Sequence, residues 1–260
     1  RANAVFALAL HDDTAAVPVL NALLADKRLA RSGDGNYLRG CAALALARLT
    51  DEPFALMRLK VMLSESDDDN FKAFAALALG IAGNPDYLQP LADLLGHHSS
   101  SVRLASAIGL GLSGNKDFLP EIRTAMLTSR HDETRVHAAV ACGMLGDLSA
   151  SGQLAKMLDP RNEPSSAVRI ASAFGLMMLG KDNPDVAHFL RVTVDDPDPR
   201  VRKYAAVARF VLGDRTGLDT FVEHVANGGM KCEKLDSMMI RDLANQSLPT
   251  FFKLRSYLYN

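Results

Sequence analysis

In stretches such as Val102 to Leu112 the apolar residues of this chain run almost unbroken towards a glycine, and a short polar turn then leads into a more sparsely apolar segment. The long stretches contain no breaker other than tolerated glycines and read as buried helices. In the shorter ones, Leu88 to Leu95 and Phe118 to Leu127, apolar residues recur at three and four with charges between them, the pattern of an amphipathic helix. Gly83, Gly114, Gly146, Gly180 and Gly213 follow five of the long stretches at one offset and are expected to end those helices. Asn84-Pro85-Asp86, Asn115-Lys116-Asp117 and Lys181-Asp182-Asn183-Pro184 come next, as turns that cap the following helix.

One phrase opens each long stretch: a basic residue, two further residues, then a pair of small ones. Its anchors are Arg39, Lys72, Arg103, Arg135, Arg169 and Arg202, spaced 33, 31, 32, 34 and 33 residues apart. A period of that size means an array of two-helix units, none able to bury its own apolar face alone. Aligning Pro18 with Pro90 puts Ala4-Val5 on the small pair, so the first repeat is incomplete and the chain reads as a piece of something longer.

The phrase resembles HEAT-like repeats of the short-period type, whose second helix reads Val-Arg, two residues, Ala-Ala and then Ala-Leu-Gly. Val102-Arg103, Val168-Arg169 and Val201-Arg202 nearly reproduce it, and the resemblance covers roughly residues 1–226. It implies an all-α fold, a right-handed α-α superhelix or HEAT-like solenoid of about seven helix pairs with a C-terminal cap. The family uses the anchor base structurally, to bridge neighbouring repeats and loop carbonyls, and pairs it with an acidic residue six positions earlier. Asp196 stands there for Arg202, Glu163 substitutes before Arg169, and His97 stands there before Arg103. Residues 227–260 depart from the array: Lys231 to Gln246 reads as a degenerate capping repeat, and the aromatic tail beyond Pro249 as a segment docked on the last repeat.

Counting from each anchor, offsets 1, 2, 5 and 9 share the helix side opposite the small pair. In the family this side lines the inner wall of the solenoid and is usually polar. Here, of 24 such positions, only Arg48, His137 and Lys203 carry a basic or titratable basic side chain. The candidate partner-binding residues on this wall are Phe74, Ile81, Ile108, Leu112, His137, Met144, Phe174, Met178 and Tyr204. An apolar wall of that extent requires a cover. Three covers satisfy the requirement: tight curvature that packs the inner helices on each other, a missing segment of the same chain, or a bound protein or helical peptide.

Composition narrows the function mainly by exclusion. A net charge of -1 supplies no overall drive towards nucleic acid, which is therefore a minor reading. No apolar run reaches the length of a membrane span. Cys41, Cys142 and Cys232 are too scattered for a disulfide framework or zinc site and read as buried thiols, with a cytoplasmic location the expectation and a lost leader still compatible. HEAT-repeat deoxyhypusine hydroxylases bind iron through His-Glu pairs, and this sequence has none; His11-Asp12, His131-Asp132 and His97-His98 read as solvated loops. No nucleophile-base set, phosphate loop or paired-carboxylate cleft can be assembled, so no catalytic, metal or cofactor residue is assigned. The expected function is a non-catalytic protein-interaction scaffold. The resemblance leaves two alternatives: a phycobilin-lyase-like or chaperone-like binder of a hydrophobic ligand, and a nucleic-acid-binding array in which the anchor bases form a positive stripe.

Overall fold

The structure is a computed structural model and describes residues 4–5, 14–49, 53–180 and 186–214. Twelve α-helices linked by 3₁₀ turns, and no strand, occur among the described residues. Six contain the anchor phrases: α2 (Gly33–Leu49), α4 (Asp69–Ala82), α6 (Ser100–Leu112), α8 (Asp132–Met144), α10 (Ser166–Leu179) and α12 (Pro199–Val211). The shorter helices between them are α1 (Val17–Ala25), α3 (Pro53–Glu65), α5 (Gln89–Asp93), α7 (Leu119–Thr128), α9 (Ser151–Lys156) and α11 (Val186–Phe189). This is the all-α solenoid pattern that the period predicts. Prolines open α1, α5, α7 and α12 within the first turn, where a missing N–H costs no helical hydrogen bond. The expected cap and aromatic tail of residues 227–260, Cys232 and the turn at Lys181 to Pro184 lie outside the described residues.

The chain divides into two compact units, Arg1–Ala150 and Ser151–Asn260. In the first, α2, α4, α6 and α8 each pack on the next, while α1, α3, α5 and α7 back α2, α4, α6 and α8. In the second, α10 packs on α12 and is flanked by α9 and α11. The members of all six small pairs are buried, so anchor helices meet through small side chains that allow close approach. Asn84 and Asn115 accept the amides two residues on and cap the turns predicted for them.

Four of the five predicted stop glycines adopt left-handed backbone: Gly83, Gly114, Gly146 and Gly213, with φ between 66 and 88°. Gly180 does not. Its φ is -68°, and its place is taken for space, since a Cβ there would stand 2.4 Å from the Leu212 side chain. Anchor helices α4 and α6 approach closely, where a Cβ on Gly80 would lie 2.3 Å from the Gly109 Cα.

Gly80→Ala is therefore predicted to lower stability by about 2–3 kcal/mol, because overpacking outweighs the better helix propensity of alanine. Gly152, near the start of α9, has nothing within 4 Å of its virtual Cβ, so Gly152→Ala should be neutral or stabilising. Urea denaturation of the two variants checks this. Equal midpoints would contradict the close approach.

Candidate functional site

The inner-wall side chains separate by their place along each anchor helix. Ile108, His137 and Phe174, near helix centres, are only 1, 2 and 2 % exposed. Phe74, Ile81, Leu112, Met144, Met178 and Tyr204 are half-buried. Part of this burial comes from the preceding anchor helix. Phe74 fills the space over Gly40, where a Cβ would stand 2.5 Å from its ring, and meets Tyr37 edge-on at 5.4 Å. Met144 lies over Gly111 in the same way, its Sδ 3.2 Å from a virtual Cβ. In the second unit the Phe174 and Tyr204 rings are 5.6 Å apart. Some wall residues thus serve as packing between successive anchor helices.

His137 is held inside this layer. Its Nδ1–H donates to the Glu133 carbonyl one turn back, which fixes the neutral tautomer. Burial pushes its pKa down to about 4, partly offset by that hydrogen bond. The unfolded chain takes the proton near 6.5, so between these values the unfolded state binds more protons. The contribution of His137 is complete above that interval and is lost as pH falls through it, by about 3 kcal/mol at pH 4. His137→Gln should flatten the stability-versus-pH curve by that amount between pH 6.5 and 4. An unchanged profile would refute the assignment.

The five anchor arginines are spent on the protein. Arg103, 3 % exposed, donates from Nη1 to the carbonyls of His97 and His98 at 2.7 Å each and from Nε to Thr134 Oγ1 at 2.8 Å, with Nη2 3.4 Å from Glu133 Oε2. Arg169 donates from Nη1 to the Glu163 and Pro164 carbonyls, and its Nε and Nη2 form a two-pronged pair with Asp196 at 2.8 and 3.0 Å. Arg135 and Arg202 reach the carbonyls of Ser129 and Asp196. In all four the acceptor is the main-chain oxygen six residues back, so the identity of that residue is immaterial. This corrects the expected acidic pairing. Asp196 gives Arg202 its carbonyl and gives its carboxylate to Arg169 of the preceding repeat.

Arg39 makes a variant of the same junction. It donates to the Leu24 carbonyl at 3.1 Å and to Asn36 Oδ1 at 2.8 Å, Asn36 donates to Asp68 one repeat on at 2.9 Å, and the guanidinium lies 4.7 Å from the Phe71 ring centre. These groups line an open cleft of about 580 Å³ with Ser32 and Met62. Of its polar groups, Arg39, Asn36 and Asp68 are already engaged with each other.

Cys41 and Cys142 are buried thiols, as the sequence implied, and burial pushes both up, Cys142 to about 12, so neither is a ready thiolate. One further feature was not legible in the sequence. His97 and His98 do sit in the loop before α6, but Asp69, from the first turn of α4, joins them. His98 Nε2 is 3.2 Å from Asp69 Oδ2, and the two imidazole centres are 4.2 Å apart. Burial, and then the neighbouring His98, hold His97 below its ordinary pKa. Asp69 lies nearly one period before the histidines, a distance over which only repeat stacking brings residues together.

No described helix is long and apolar enough to cross a membrane. Residues 27–107, from the turn after α1 into α6, match the family model described as HEAT repeats. Comparison with curated proteins gave no match. Residues 27–107 are thus similar to HEAT repeats, which generally serve as protein-interaction scaffolds.

Proposed function

We propose that this chain is a non-catalytic scaffold that binds a helical segment of a protein along its apolar inner wall. The observation that carries the reading is the row of apolar side chains at offset 9 in the first unit, Ile81, Leu112 and Met144, which the neighbouring anchor helices leave half-open. Ile108 and His137, on the same wall, are buried. The second unit repeats the arrangement, with Met178 and Tyr204 half-open and Phe174 buried.

Spacing argues for a helix as the occupant. Packed helices stand about 8–10 Å apart. An amphipathic partner crossing them presents one apolar residue every two turns, about 10.5 Å, and so meets successive anchor helices in step. Met144 and Met178 add adaptable, polarizable contact surface. Nucleic acid is less well served, because the anchor guanidiniums that could meet phosphate are engaged with loop carbonyls and neighbouring repeats.

Ile81→Asp and Leu112→Asp should leave the thermal melt within a few degrees of the parent while abolishing association with amphipathic helical peptides that carry an apolar residue every seventh position. Ile108→Asp, which buries an unpaired carboxylate, should destabilise by more than about 4 kcal/mol. Peptide binding that survives Ile81→Asp and Leu112→Asp would overturn the proposed surface.

A further inference from the structure

We propose that Asp69, His97 and His98 form a divalent-cation site of the zinc class that ties the loop before α6 to the first turn of α4. The donor set is two imidazoles and one carboxylate. It suits borderline transition ions, and it suits calcium or magnesium poorly, since those need shells of oxygen. One ligand atom from each residue lies within 4.8 Å of the others. Two ligands each about 2.1 Å from one tetrahedral ion stand about 3.4 Å apart, so closure asks for a contraction of at most about 1.4 Å. The side chains have room for that movement: that of His98 is 79 % exposed and that of Asp69 35 %.

The main chain is already held for the purpose. Arg103 Nη1 binds the carbonyl of His97 and the carbonyl of His98 at 2.7 Å each, so one guanidinium fixes the backbone of both imidazole donors. Asp69 is fixed by the start of α4, where Asp68 caps the helix by accepting the Phe71 amide at 2.8 Å. Ligands carried on an ordered backbone lose little conformational freedom when an ion binds.

Three local features set the strength. The Ser99 amide donates to His97 Nδ1 at 3.2 Å, a hydrogen bond that coordination through either ring nitrogen gives up. Lys72 and Arg103 place positive charge near the site, with Arg103 offset in part by Glu133. Three protein ligands leave a tetrahedral ion one position for water. The expected affinity is therefore micromolar, with zinc acting as a clip between adjacent repeats.

The test is isothermal titration of the full, tag-free chain with zinc chloride at pH 7.5, with calcium chloride in parallel. One zinc per chain is expected, with a rise in melting temperature on binding. Affinity should fall at least about tenfold in Asp69→Asn and in His98→Ala, and should be unchanged in His131→Ala, which removes an exposed histidine elsewhere. Absence of binding at millimolar zinc, zinc binding undiminished in both Asp69→Asn and His98→Ala, or calcium bound as tightly as zinc would each overturn the site.

Discussion

The guanidinium of the anchor arginine is the interaction on which the rest of the array depends. A repeat of two helices cannot bury its own apolar face, so each loop must be held where the next anchor helix can stack. In four copies the anchor arginine does this by taking the carbonyl oxygen six residues before it, on the loop that leads into its own helix. Arg103 and Arg169 also reach forward one period, to Thr134 and Asp196. One charged, planar group thus satisfies buried loop carbonyls and links consecutive repeats, and hydrogen bonds to a charged group are the stronger kind.

This explains why the period was legible while the partners were not. Arginine at the anchor repeats because its acceptor is main chain, whereas position six before it can be His97, Ser129, Glu163 or Asp196 without changing the bond. A search for an acidic partner within one repeat fails at Arg103 and picks the wrong arginine for Asp196. Small pairs and stop glycines were also readable from pattern, with Gly180 the exception because its constraint is the Leu212 side chain of the next anchor helix. Helix lengths between anchors were less legible: Leu88 to Leu95 is a five-residue helix set between 3₁₀ turns.

The inner wall shows the same limit. Helical periodicity groups Phe74, Ile108, Met144 and their equivalents on one face, but only lateral packing decides how deep each one lies. Glycines at 40 and 111 admit Phe74 and Met144 between anchor helices, while offset 5 residues such as Ile108 sink from view. The surface left for a partner is narrower than the sequence pattern implies, and it concentrates at helix ends. The cluster of Asp69 with His97 and His98 arises from the same stacking, since its members belong to neighbouring repeats.

The most direct test of the latch is a double-mutant cycle on Arg169 and Asp196, measured by urea denaturation of Arg169→Met, Asp196→Asn and the pair together. The two side chains are 4 and 0 % exposed, so each single change strands a buried partner and should cost about 3–5 kcal/mol. The account predicts strong coupling, with the double variant at least about 2 kcal/mol more stable than the sum of the single losses. Additive losses, within about 0.5 kcal/mol, would contradict the claim that the anchor arginine joins one repeat to the next.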